Sequence, residues 1–600
     1  MGNKISKTYE MGKEELLQTS SGWQVFPGKH REDANVRVCI FVANNQQDGR
    51  ADMRREEAKN LQKLRHPNIL SVVEALLEEK TCMALVTRPF VGSLRVVVAN
   101  KVTLLSLEVK TGLGDVLDAL EFLHANKLAH NNLTPDAILV TLQGKWLLAG
   151  FGCMHGNFRD FQDTRYIQSR SLENPARSDI FSLGLVCLEA LKGAPVFPAG
   201  VPNRKDEMSR VLANCNLPAS SNFAALFRAI FDTSRPATAG ELAQHAVLRD
   251  PHVLALRFVD SLAEKSETER VEFLRGLKNL LELPSELTER RIIDERLLPQ
   301  LAASLGLTRN SATWQLTLEI MFPMISNSAI FQTLVWPHLR SLYRAPEIKL
   351  DCVLVLVGNL DICARNLEMS EVQNVIGPFL AMCFDFPHEH LLGASLTSLT
   401  KIAALMNMQF LSVSVIPKIV SLVLTNFQLR RPALDTLQKL LDFVDKQTLE
   451  IAVYTPLEQL ETPEILLVVQ QYVDTMDLIC KKFPINFRTK RLLPKMSTLL
   501  AEEGLTCEGF DKVANLCKTL IKDIELHRRK EFTAVAASLR PTAPAPPPPQ
   551  PVPQAVQAPV SAAARHSAGQ LDLDSLFGRQ PPTVVTSSDP FADLLGDFRR

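Results

Sequence analysis

Residues Leu120–Val140, LEFLHANKLAHNNLTPDAILV, followed shortly by Lys145–Gly152, KWLLAGFG, decide the reading of this chain. Four further stretches stand around them in order: Glu56–Leu70, EEAKNLQKLRHPNIL; Ala84–Leu94, ALVTRPFVGSL; Ser178–Leu191, SDIFSLGLVCLEAL; and Thr233–Leu242, TSRPATAGEL. Residues 1 to about 248 mix β-like runs, Val36–Val42 and Met83–Thr87, with helical stretches. From about 252 to 530 almost everything has helical periodicity. After Ala536 the chemistry changes abruptly, with nine prolines in residues 541–560. Such a segment favours extended polyproline conformations and cannot bury a core.

The ordered landmarks resemble a protein kinase. Glu57 falls at the ion-pair position of the helix in the small lobe, Ala84–Leu94 at the strand and hinge between lobes, and Leu120–Val140 at the catalytic loop. The residues that phosphoryl transfer needs are replaced. A strand lysine should hold the nucleotide phosphates, and VCIF puts Phe41 there. The two metal ligands become Gly150 and Ala137. The base becomes Asn132, whose amide cannot accept the substrate proton at neutral pH, and the lysine two residues on becomes Thr134. The glycine-rich loop, LLQTSSGWQVF, keeps only Gly22. Without these charges little remains to balance a nucleotide, so the chain is expected not to be an enzyme and to need no cofactor or metal. Glu57, its lysine gone, is expected to be a solvated or locally paired helix carboxylate. The resemblance implies that Asp179 braces the catalytic loop, and it leaves Arg235 without an evident partner in a short activation segment.

Six prolines mark an internal repeat. Pro299, Pro337, Pro378, Pro417, Pro456 and Pro494 sit among apolar residues at intervals of 38 to 41. Proline is tolerated early in a helix or kinks it. A period near forty with paired helices is the signature of HEAT or armadillo repeats, whose units stack because none can bury its own faces. The expected fold is therefore an α+β bilobal kinase-like domain, then an all-α HEAT/armadillo-type solenoid, then a disordered tail. The segments are 1–14, 15–248, 252–535 and 536–600.

Joined in this order, the regions resemble the Scy-like pseudokinases, an inactive kinase domain followed by HEAT repeats. VCIF and HNNLTPDAIL look nearest to the branch called coated-vesicle-associated kinase. The resemblance implies membrane traffic at Golgi and endosomes. The two ends agree with it. MGNKIS places Gly2 and Ser6 as N-myristoylation requires, with Lys4 and Lys7 alongside. One acyl chain binds weakly, so a second contact is needed. Asp589-Pro590-Phe591 has the form recognised by clathrin-adaptor appendages, and Asp593-Leu594-Leu595 that of clathrin-binding tails. Leu571, Leu573, Leu576 and Phe577 form another acidic-apolar cluster.

Composition narrows the class further. Lys plus Arg equal Asp plus Glu, 66 each, so bulk attraction to nucleic acid is not expected. No run approaches eighteen apolar residues, and the charged first fifteen residues lack a secretory core. Eleven cysteines without CxxC pairs read as buried thiols of a reducing compartment. The expectation is a cytoplasmic scaffold, peripheral on Golgi and endosomal membranes and clathrin-coated vesicles, whose partners are clathrin, its adaptors and a membrane surface. The rival readings are a divergent kinase with unorthodox nucleotide use, and a scaffold for coatomer retrograde vesicles, for which the terminal Arg599 and Arg600 speak.

Overall fold

In the run RVCIFVAN, Arg37–Asn44, every side chain from Val38 to Phe41 is buried, because the strand is covered on both faces. The computed structural model describes residues 3–33, 36–44, 49–100, 104–167, 174–197, 223–232, 234–235, 237–307, 310–344 and 349–538. Residues up to Asn407 form one compact unit, and those from Met408 another. The tail from 539 onward, with all its motif residues, and Gly2 lie outside the described residues.

The small lobe runs α1 (Asn3–Thr8), β1 (Tyr9–Met11), β2 (Leu17–Gln18), β3 (Gln24–His30), β4 (Arg37–Asn44), α2 (Ala51–Lys63), β5 (Val72–Glu78) and β6 (Cys82–Thr87). The sheet order is β1-β3-β4-β6-β5, with β2 paired to β3, and every pairing is antiparallel. Strand alternation sorts the side chains. Cys39, Phe41, Ala43, Met83 and Leu85 face the main core. Val38, Ile40, Ala84 and Val86 face the other way, where Ile5 and Tyr9 cover them. Ile5 and Tyr9, within the segment set apart in the sequence, thus lie on the outer face of the sheet. Arg31 ties them down, its guanidinium donating to the Ser6 carbonyl at 2.9 Å and its N–H to that of Thr8 at 3.0 Å.

The large lobe contains β7 (Gly92–Ser93), α3 (Leu94–Ala99), α4 (Ser106–Ala125), β8 (Ile138–Val140), β9 (Trp146–Leu148) and α5 (Pro175–Lys192). Helix α5 is buried almost all round; the Asn174 side chain caps its start, and Gly193 in the left-handed region (φ +69°) ends it. Helix α4 carries Gly112 where a Cβ would lie 2.1 Å from the Trp146 ring, so only glycine admits that ring. A single buried apolar cluster continues from the small-lobe sheet through to α4 and α5.

Helices after residue 250 dock on α4 through charges. Lys110 pairs with Asp250 at 2.8 Å, Asp118 with Arg257, and Glu108 with Arg291. Arg296, 2% exposed, donates to Thr111 at 3.0 Å and to Asp260 at 2.6 Å. The chain therefore passes from the kinase-like domain into its helices without a break.

The helical repeats follow the prolines. In the first unit Glu267–Leu281 packs on Ser311–Met324, that on Leu350–Gly358, and that on Glu389–Ile402. In the second, Arg430–Leu440 packs on Val469–Lys481 and that on Cys507–Ser538. Each proline stands in the first turn of an α-helical segment. Each follows a wide turn in which the residue before proline donates its N–H five residues back instead of four: Leu298 to Ile293, Trp336 to Phe331, Gly377 to Val372, Ile416 to Leu411, Thr455 to Glu450 and Leu493 to Arg488. An α-turn would drive the ring into the carbonyl four residues earlier, and the extra residue makes room. A second device recurs: Arg430 and Arg488 each donate to two carbonyls at the end of the preceding helix, and Arg270 donates to those of Leu262 and Ala263 in the turn that follows its preceding helix.

One difference from the sequence expectation concerns Met408–Thr425, which is long and apolar enough to cross a membrane by length and composition. It holds Pro417 and Lys418, carries the same wide turn as the other repeats, and packs against Arg430–Leu440. Ten of the eleven cysteines lie among the described residues; none is in a disulfide, and only Cys507 is exposed.

Candidate functional site

Aromatic rings pack together at the cleft between the lobes. The turn between β2 and β3 is short: Gly22, with φ +78°, lets the chain reverse, and its N–H donates to the Thr19 carbonyl at 2.9 Å. The reversal turns Trp23 inward, to 0% exposure. Phe41 from β4 lies between Trp23 and Phe90, at ring-centroid distances of 6.1 and 5.9 Å, both edge-on. Helix α2 holds the turn from behind, with Arg50 donating to the Ser20 carbonyl at 3.1 Å and Arg54 to that of Ser21 at 2.9 Å. A loop that would cradle phosphates with its N–H groups has its carbonyls gripped instead.

Of the two expectations for Glu57, solvated or locally paired, the structure excludes the first. The residue is 2% exposed, and its carboxylate accepts hydrogen bonds from the Ser21 hydroxyl at 2.5 Å and the Trp23 indole at 3.1 Å. The Gly150 N–H also donates to it. Burial pushes its pKa above the ordinary range, and these donors together with the nearby Arg54 pull the other way. Trp23 and Ser21 have thus taken the place of the missing lysine. Sequence reasoning missed both; the signal was a tryptophan immediately after the one surviving glycine.

The linker between the lobes offers a purine no backbone donor. The Arg88 N–H goes to the Ser71 carbonyl at 3.0 Å and the Val91 N–H to that of Val140 at 2.8 Å. Pro89 has none, and the Phe90 N–H meets the Cys39 sulfur at 3.4 Å. That thiol donates back to the Phe90 carbonyl at 3.5 Å, and burial holds its pKa up at about 12. Cys39 and Phe90 also went unnoticed in the sequence.

The catalytic-loop backbone survives as architecture. Asp179 on α5 accepts from the N–H groups of His130 at 2.7 Å and Asn131 at 2.8 Å. Asn131 sits in the left-handed region, φ +63°, which asparagine tolerates better than most residues. His130 packs edge-on against Phe151 at 4.9 Å. Asn132 is buried, and its side-chain carbonyl accepts from the Asp163 N–H at 3.3 Å. Thr134 is buried with its hydroxyl unpartnered. Ala137 and Gly150 adjoin: a Cβ on Gly150 would stand 3.2 Å from that of Ala137, and Gly150 has φ +76°. An aspartate there would be strained by both space and backbone. On the substrate side, Asp136 pairs with Arg95 at 2.6 Å, and the Tyr166 hydroxyl donates to Glu189 at 2.7 Å. Arg235 is exposed, and its N–H contacts Asp232 at 3.3 Å.

Among the described residues no cluster of three His, Cys, Asp or Glu could hold a metal ion. The donor set of the cleft does not fit a magnesium nucleotide: where oxygens and ammonium should stand there are rings, methyl groups and a glycine.

A bilobal kinase fold continued by stacked helical repeats defines a kinase-like domain joined to a repeat protein. The sequence matches the protein kinase domain family over residues 19–279. It is similar to SCY1-like protein 2 of Homo sapiens, 23% identical across 89% of this chain and 63% of the relative. It is also similar to the protein kinase domain-containing protein ppk32 of Schizosaccharomyces pombe, 23% identical across 90% and 80%, and to the protein kinase-like protein SCY1 of Saccharomyces cerevisiae, 24% identical across 60% and 54%. These matches support the resemblance to the Scy-like family. It spans 63% of the length of the human and mouse SCY1-like protein 2.

Proposed function

We propose that the chain is a catalytically inactive scaffold of clathrin-coated vesicle traffic, held peripherally on Golgi and endosomal membranes from the cytoplasmic side. The inactive reading is carried by the cleft: Trp23, Phe41 and Phe90 pack against one another where the phosphate-holding lysine would stand, and the linker N–H groups are already engaged. Phosphoryl transfer is almost wholly positioning and charge stabilisation, so a site without cations or metal ligands has nothing to supply. The coat reading is supported by the motifs at Asp589–Phe591 and Asp593–Leu595, which several weak contacts on one tail would reinforce through effective concentration.

Two measurements on the full chain test it. With γ-labelled ATP and magnesium, no label should enter the chain or a generic protein substrate, and ATP should not raise its melting temperature. Adaptor appendages should be recovered from extract by the chain, and Phe591→Ala should reduce that recovery about thirtyfold, the effect of losing a buried anchor worth roughly 2 kcal/mol. Robust turnover would sink the first half, and recovery indifferent to Phe591 the second.

A further inference from the structure

Behind the interlobe linker lies a groove of about 600 Å³ that the cleft does not use. Its floor is apolar, with Ile69, Pro89 and Leu147, and its rim carries Arg65, Arg88 and Lys145. None of these three cations has a carboxylate within ion-pair distance among the described residues. The acids nearby are already taken: Asp260, on the rim, pairs with Arg296 at 2.6 Å, and Asp118 with Arg257. His66 adds no charge to offset or extend this, because burial lowers its pKa and its ring stacks on Phe122 at 5.3 Å. Lys145 lies in the field of the buried Asp115, which leaves the exposed Arg65 and Arg88 as the local excess of positive charge around this trough. Gln143 and Gln300 line the same trough and offer amide donors and acceptors to a backbone.

We infer that this groove binds an extended segment of a partner protein in which acidic and apolar residues alternate. In an extended strand successive side chains point to opposite sides. One row would therefore enter the trough while the other meets Arg65, Arg88 and Lys145. A bare anion would use the rim alone and leave the floor wet. A purely apolar segment would leave the cations unpaired. Only the alternating pattern satisfies both.

The probe is a fluorescent synthetic heptapeptide, Leu-Asp-Leu-Asp-Leu-Asp-Leu, titrated against the full chain and read by anisotropy. Binding should saturate, weaken at least about tenfold when Asp is replaced by Asn in the probe, and weaken as salt rises from about 50 to about 300 mM. Arg65→Glu with Arg88→Glu should weaken binding at least about tenfold, since these exposed residues can change without altering the core. Lys80→Glu, an exposed lysine elsewhere on the small lobe, should leave it unchanged. Melting temperatures of both variants should equal that of the parent chain. Four results would overturn the inference: no saturable binding, equal loss with Lys80→Glu, equal affinity of the Asn probe, or full competition by millimolar inorganic phosphate.

Discussion

Phe41 illustrates how one residue both removes a chemistry and supplies a structure. Its place in VCIF was legible in the sequence because strand and family spacing fix it. The burial of Glu57 was not, because the groups that accept responsibility for its charge, Ser21 and Trp23, come from a turn more than thirty residues away. A lone carboxylate on a helix gives no sign of whether it faces water. Phe41→Ala should cost about 3–5 kcal/mol, the usual penalty for emptying a buried aromatic site. The urea midpoint should fall with the slope unchanged, and magnesium ATP should not restore it. A midpoint recovered by nucleotide would show that the ring merely occupies a competent site.

At the scale of elements, α4 is the point of attachment, since helices from beyond residue 250 dock on it through charged pairs. Asp115 on this helix is fully shielded, and burial pushes its pKa to about 7, against the pull of Arg296. The Trp146 N–H donates to it at 3.1 Å. In the unfolded chain an aspartate titrates near about 4, so between about pH 4 and pH 7 the folded state holds a proton that the unfolded state has released. Stability attributable to this group must fall as pH rises through that window and level off above it. Asp115→Asn keeps an acceptor for Trp146 but cannot titrate. Denaturation midpoints of the variant, measured from about pH 5 to about pH 7.5, should therefore slope less than those of the parent chain. Parallel slopes would contradict the assignment. The repeats show the same divide between what sequence reveals and what it hides. Their period was legible because proline is a visible marker every 38 to 41 residues. The wide turn was not, because proline alone is equally compatible with a first turn, a kink or an extra residue.

For the whole molecule, the order of kinase-like domain and helical repeats could be read from composition and periodicity. The docking of one on the other could not, because it depends on pairs such as Lys110 with Asp250 that lie far apart in the chain. The proposed membrane attachment is tested by Gly2→Ala, which removes the only residue that N-myristoylation can use. The variant should move from the membrane pellet to the supernatant in fractionated cells, and intact-mass measurement should show the loss of one acyl group from the parent chain. An unchanged distribution, with no acyl mass on the parent, would end that proposal.

The covering of the outer sheet face by Ile5 and Tyr9 bears on how such an attachment would behave. An acyl chain on residue 2 would begin only three residues from a buried anchor, a lever of at most about 10 Å. That is close to the screening length of physiological salt, about 8 Å. The small lobe would then be kept within about that distance of the headgroups, its tumbling narrowed by the short tether. Lengthening the stretch between Met11 and Leu17 would leave the docked start in place, whereas a flexible insertion ahead of Ile5 would free the lobe to tumble while keeping the same lipid. Anchoring and orientation would thereby become separable properties, each set by different residues of the same short segment.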